Sequence, residues 1–189
     1  MSTTTLVMAE EAAPKTETLE FQALYEQYSG AVYLTALRVT GNPADAEDVL
    51  QTVFLHVLDA RRALDASRSP GAYVRRAAAN ASIDLLRRKK TRREAALEEG
   101  RASGERQGAA VVPGATAGRA GWQEDSFLLK ERLRTALTTL SPENAELFVL
   151  CYLEGYSYDE LAELLQLERG TVGSRLHRIR AALQVELSR

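Results

Sequence analysis

Apolar residues between Leu19 and Val39 recur every three or four positions. Phe21, Leu24, Tyr25, Tyr28, Val32 and Ala36 fall on one side of a predicted helix. Gly41 closes that helix, because glycine alone enters the left-handed region without a steric penalty. Asn42-Pro43 opens a second helix, with Asn as cap and Pro in the first turn. Its inner face carries Ala46, Val49, Leu50, Val53 and Val57, and its predicted end is near Leu64. Asp65 to Ser69 reads as a short polar loop. Ser69-Pro70 then repeats the cap-plus-proline start. The third helix turns Val74, Ala77, Ala78, Ala81 and Leu85 inward, and ends in the basic run Arg87 to Arg93.

From Ala95 to Gly121 this periodicity dissolves. Gly100, Gly104, Gly108, Gly114, Gly118 and Gly121 lie here among alanines and polar residues, which reads as a flexible linker. Helical spacing returns with Phe127, Leu128, Leu133, Leu137 and Leu140, after Trp122. Ser141-Pro142 starts a further helix that runs to Gly155. Ser157 and Glu160 have the spacing of a capping box. Leu161, Ala162, Leu164 and Leu165 pack the helix that follows, with Leu167 in the turn after it. Val172, Leu176, Ile179 and Leu183 form the inner stripe of the last helix. Ser174, Arg175, His177 and Arg178 are left facing outward. Two short helices, a tight turn and outward arginines predict a helix-turn-helix, which delivers its second helix into the DNA major groove. The arginines there suit bidentate pairing with guanine or a clamp on phosphate.

No segment carries a strand signal of any weight. The expected fold class is all-α: two small helical domains joined by a flexible linker, the C-terminal one a helix-turn-helix. The expected boundaries are a disordered tail at 1–18, a first domain at 19–94, a linker at 95–124 and a second domain at 125–189.

Net charge is −2 over 189 residues, which alone does not suggest a DNA binder. Its distribution changes that picture. Arg75 to Arg93 holds eight basic residues against Asp84 alone, and Arg169 to Arg189 holds five against Glu186. Between them, Lys130 to Glu168 holds three basic residues against eight acids. Two positive segments around an acidic one suit contact with both nucleic acid and a protein partner.

Cys151 is the chain's one cysteine, so no disulfide forms within it, and the distant His56 and His177 lack ligand spacing. No metal site and no cofactor are expected. No apolar run approaches the ~20 residues that cross a bilayer. Met1 to Thr18 lacks the basic start and apolar core of a secretory signal. No membrane insertion and a cytoplasmic location are the expectation. A nucleic-acid hydrolase would need converging acids or a metal set. The acids from Glu154 to Glu163 fit a capped helix surface instead, so the chain is not expected to be an enzyme.

The second helix presents Glu47, Asp48 and Gln51 on its polar side, within Ala46-Glu47-Asp48-Val49-Leu50-Gln51-Thr52-Val53-Phe54. Next in order come Asn80-Ala81-Ser82-Ile83-Asp84-Leu85-Leu86-Arg87-Arg88, then Ser157-Tyr158-Asp159-Glu160-Leu161-Ala162, then Gly170-Thr171-Val172-Gly173-Ser174-Arg175-Leu176-His177-Arg178. This succession resembles an extracytoplasmic-function (ECF) sigma factor, the smallest type of bacterial RNA polymerase specificity subunit. The resemblance covers about Phe21 to Arg93 and Leu128 to Leu187.

The resemblance implies that the first domain binds the polymerase clamp and the promoter −10 element, and the second the −35 element and the polymerase flap. Docking to core polymerase would fall to Asp48 and Gln51, with Glu47 beside them. Thr52 departs from the acid common in the family. Single-stranded promoter DNA would meet the loop Asp65 to Gly71 and the outward side of Tyr73 to Arg88. There Asn80 would hydrogen-bond an unstacked base, while Arg76, Arg87, Arg88 and Lys89 hold the backbone. Tyr73 stands where tryptophan is frequent in the family and is expected to pack rather than stack. Ser174, Arg175, His177 and Arg178 match recognition-helix positions. Gly173 departs from a usual basic residue. Promoter DNA, duplex and melted, and an anti-sigma factor are the implied partners besides polymerase. The alternative is a helix-turn-helix regulator that binds duplex DNA without core polymerase. It leaves Glu47, Asp48 and Gln51 without a role.

Overall fold

The computed structural model describes residues 13–59, 69–102 and 120–188. They form α1 (Ala13–Thr40), α2 (Pro43–Asp59), α3 (Pro70–Ala102), α4 (Ala120–Leu137), α5 (Pro142–Phe148), a π-helical turn (Val149–Leu153), α6 (Tyr158–Leu165) and α7 (Arg169–Leu187). No strand occurs among the described residues. The Asp65 to Gly71 segment falls mostly outside them, as does 103–119.

Local chemistry sets the helix ends. Gly41 has φ +70°, and its N–H donates to the Leu37 carbonyl at 2.8 Å, closing α1. The Asn42 side chain accepts from the Ala44 and Asp45 N–H groups at 2.9 and 3.3 Å, opening α2. Ser69 and Ser141 accept from the third residue after each, ahead of Pro70 and Pro142. At α6 the capping box is complete. The Ser157 N–H donates to Glu160 Oε2 at 2.8 Å, and the Glu160 N–H donates to Ser157 Oγ at 3.3 Å.

Two helices start earlier than predicted: α1 begins at Ala13, inside the expected tail 1–18, and α4 at Ala120, inside the expected linker 95–124. Two further differences from the predicted elements have physical causes. The third helix passes the Ala95 start of the predicted linker and reaches Ala102, through the strong helix formers Glu94-Ala95-Ala96-Leu97-Glu98-Glu99. The predicted helix from Ser141 to Gly155 is α-helical only to Phe148. It then widens into the π turn, where the Glu154 N–H reaches the Val149 carbonyl five residues back at 3.1 Å.

The first domain is α1, α2 and the first half of α3. Val32, Ala36, Ala46, Val49, Val53, Phe54, Val57, Val74 and Ala78 form its core. Phe54 meets the Phe21 ring edge-on at 6.0 Å between centroids. Tyr73 packs against this core, as a packing residue would. The second domain buries Leu161, Val172, Leu176, Ile179 and Leu183 with Ala136, Leu147 and Leu150. All four residues of the predicted α7 stripe are therefore core. On α4 the buried side is Ala136 and Leu137, while Phe127 and Leu128 lie exposed.

A third cluster belongs to neither domain alone. Val39, Ala79 and Ile83 of the first domain close on Ala145 and Val149 of the second, with Leu86, Leu140 and Leu153 around them. The third helix thus buries two faces: Val74 and Ala78 toward its own domain, Ala79 and Ile83 toward the other.

Candidate nucleic-acid interface

On α7 the inward stripe fixes the rotation of the helix, which leaves Ser174, His177 and Arg178 exposed and Arg175 half-buried. The Ser174 hydroxyl donates to the Thr171 carbonyl at 3.1 Å, and Arg178 Nε to the Ser174 carbonyl at 3.4 Å. Arg175 and Arg178 line a polar cleft of about 340 Å³ with Ser141, Glu143 and Asn144. The Glu143 carboxyl lies below the ordinary glutamate range. Its own backbone N–H contributes most, then the Ser141 hydroxyl, with Arg175 a smaller influence. Gly173 faces the Tyr158 ring. A Cβ added there would lie 3.8 Å from that ring, an ordinary contact, so packing does not require glycine. The turn between α6 and α7 is made by Gln166 in the left-handed conformation, φ 54°.

On α2, Glu47, Asp48 and Gln51 are all exposed on one face. Thr52 turns back on its own helix, donating to the Asp48 carbonyl at 2.8 Å. One turn earlier, nearly buried Asp45 pairs with Lys89, Nζ to Oδ2 2.6 Å. That pair ties α2 to α3.

The α3 residues do not form one free patch. Arg76 forms an ion pair with Glu146 of the second domain. Arg87 donates to the Leu140 carbonyl at 2.8 Å and lies 3.4 Å from Asp84. Lys89 is held by Asp45, Asn80 is half-buried, and Arg88 is exposed with Nε 3.3 Å from the Asp84 carbonyl. Sequence reasoning missed the groups that hold them. Glu146 and Glu154 belong to an acid-rich stretch that reads as solvated, yet their side chains are 8% and 4% exposed. Arg38 meets Glu154 at 2.9 Å, and Arg75 approaches the other Glu154 oxygen at 3.8 Å. Arg134 donates to the Val39 carbonyl at 3.2 Å across the same seam. The alternation of basic and acidic blocks along the chain is the one sequence signal that bears on these pairs.

Among the described residues no group of His, Cys, Asp and Glu is gathered to hold a metal ion. Cys151 is half-buried, and burial pushes its thiol pKa up, against a smaller opposing effect of Arg180. No described helix is long and apolar enough to cross a membrane.

Residues 24–92 match the Sigma-70 region 2 family, and residues 130–183 match Sigma-70, region 4. The ECF RNA polymerase sigma factor SigE of Mycolicibacterium smegmatis is 33% identical over 166 residues, which are 88% of this chain and 61% of that protein. The chain therefore spans under two thirds of that relative's length. The RNA polymerase sigma-E factor of Streptomyces coelicolor is 31% identical, with 90% of this chain and 88% of that protein covered. Among solved structures, CnrH in complex with the cytosolic domain of CnrY shares the fold at TM-score 0.52 and 23% identity. That match covers 93% of this chain and 94% of CnrH.

Proposed function

Because the chain belongs to the extracytoplasmic-function family of RNA polymerase sigma factors, we propose that it joins core polymerase, recognises a two-part promoter and directs transcription initiation. The observation that carries this reading is the pair of Sigma-70 region matches, region 2 then region 4, on one chain.

In this reading α2 docks on the clamp. Asp48 and Gln51, flanked by Glu47, offer a carboxylate and an amide from a rigid, exposed helix face to a basic partner helix. The third helix engages the −10 element as it melts, with Asn80 for an unstacked base and Arg76, Arg87, Arg88 and Lys89 for phosphates. The exposed side of α7 enters the −35 major groove through Ser174, Arg175, His177 and Arg178, while the second domain meets the flap. The chain supplies no catalysis of its own, works in the cytoplasm with the polymerase, and is restrained by an anti-sigma protein. CnrH, which shares its fold, forms a complex with the cytosolic domain of CnrY.

Run-off transcription with sigma-free core polymerase on a genomic fragment library tests the reading. Defined start sites are the expected result; their absence under every condition would sink it. Asp48→Arg should weaken co-purification with core polymerase, and undiminished association would remove α2 as the docking face.

A further inference from the structure

In the second domain, the polar cleft of about 340 Å³ brings an acid to the two arginines given to duplex DNA. Ser141, Glu143 and Asn144 from the start of α5 line one side of it, Arg175 and Arg178 of α7 the other. A cleft that only holds phosphate has no use for an acid, because phosphate oxygens are acceptors of the same charge. Glu143 is nevertheless exposed there and ionised. Its own backbone N–H and the Ser141 hydroxyl hold the carboxyl below the ordinary glutamate range, and Arg175 adds a smaller attraction.

The two arginines are not equivalent. Arg178 is exposed, with Nε tied to the Ser174 carbonyl at 3.4 Å. Arg175 is half-buried, and of the two it is the one whose charge acts on the Glu143 carboxylate. That attraction works across the cleft rather than through a closed ion pair, so the planar fork of Arg175 stays open to a ligand. A carboxylate placed this way changes a guanidinium in two respects. It restrains a long side chain before binding, which favours a target that needs one fixed orientation, such as the O6 and N7 pair of guanine. It also offsets local positive charge, which weakens the pull toward phosphate.

We propose that Glu143 is a positioning residue: from the start of α5 it sets Arg175 to read a guanine edge in the major groove rather than to clamp a phosphate. The inference rests on the duplex-DNA role given to α7 above and deepens it, by separating base reading from backbone contact within one cleft. It also gives a task to an acid that is otherwise accounted for only by its place in the first turn of α5.

The test joins the full chain to core polymerase and lets the complex select among duplexes randomised across the upstream promoter element. The wild-type complex should enrich a strongly preferred guanine. Glu143→Gln keeps the shape of the side chain and removes its charge. Preference for that guanine should fall about tenfold, within the range of one bidentate base contact. In filter binding to the selected duplex at graded salt, log affinity should fall more steeply with log salt, by about one phosphate contact. An acid that only supports the start of α5 would lower the denaturation midpoint on replacement and leave both readouts unmoved. Arg175→Lys keeps the charge and loses the planar fork, so it should lose the same guanine preference. Circular dichroism checks folding, and Arg175→Lys decides if Glu143→Gln does not fold. A guanine preference that survives in either variant, or a salt slope in Glu143→Gln no steeper than wild type, overturns the positioning role. A wild-type complex that enriches no sequence overturns the sigma reading and this inference with it. An unshifted variant beside a selective wild type overturns the inference alone.

Discussion

The guanidinium of Arg134, on α4, fills the space that a side chain at Gly41 would take at the end of α1. A glycine that the sequence marks as a helix stop also makes room for a contact from the other domain. From there Arg134 donates to the Val39 carbonyl at 3.2 Å, a cation at a helix C-terminus, where the backbone dipole favours it. Gly41→Ala should be destabilising by about 1–2 kcal/mol from the left-handed backbone alone. Expulsion of Arg134 adds to that loss. Urea denaturation measures it, and a variant as stable as wild type would remove the constraint.

At Gly173 the opposite sign is expected. The site is helical and a Cβ meets only the Tyr158 ring at 3.8 Å. Gly173→Ala should therefore stabilise α7 by about 1 kcal/mol, the propensity difference between the two residues. Thermal denaturation should show a higher midpoint. A lower one would mean that the neighbouring helices do not accept the methyl group.

Gln166 pays for its turn with strain, since φ 54° is unfavourable for a residue with a side chain. Gln166→Gly relieves that strain at some cost in unfolded-state entropy. A net gain of about 0.5–1 kcal/mol in urea denaturation is expected. A loss would show that the Gln166 side chain contributes more than its backbone costs.

The capping box makes stability depend on acidity. The Ser157 hydroxyl and then the Ser157 backbone N–H hold the Glu160 carboxyl below the ordinary glutamate range. A carboxyl depressed on folding contributes stability that is present above its unfolded pKa and lost as pH falls through the folded value. Stability should therefore decline on acidification below the ordinary glutamate range, and Glu160→Gln should flatten that part of the curve. Denaturation midpoints compared at neutral and acid pH check it; parallel curves for the two proteins would refute it.

Replacement of Arg178 by alanine removes an exposed guanidinium from the outward side of α7 without touching its core stripe. Run-off transcription from the cognate promoter should fall about 5- to 150-fold, the range of one good base contact. Core-polymerase binding should stay unchanged. Arg175→Ala should act in the same direction, and full activity in both variants would remove the pair as DNA readers.

How much of this was legible in the chain depends on whether a signal is local. The caps at Asn42, Ser141 and Ser157 bond to residues two or three positions away, so short sequence windows reveal them. The α7 stripe contrasts leucine and isoleucine with arginine and is equally plain. The third helix is harder. Ala77, Ala78, Ala79 and Ala81 give almost no apolar contrast, so the second buried face through Ala79 and Ile83 leaves no periodic mark. Glu146 and Glu154 read as solvated acids because their partners Arg76 and Arg38 lie far off in sequence. Phe127 and Leu128 mislead in the other direction: both have the spacing of a core helix, yet both are exposed.

The π turn has one more effect. Val149 and Leu150 are consecutive, yet Val149 packs in the cluster shared by both domains and Leu150 in the core beneath α7. Because packed interiors transmit displacement rather than absorb it, any tilt of α7 that shifts Leu150 carries Val149 with it. In the proposed reading, the grip of α7 on duplex DNA is therefore felt at the seam between the domains through two adjacent side chains.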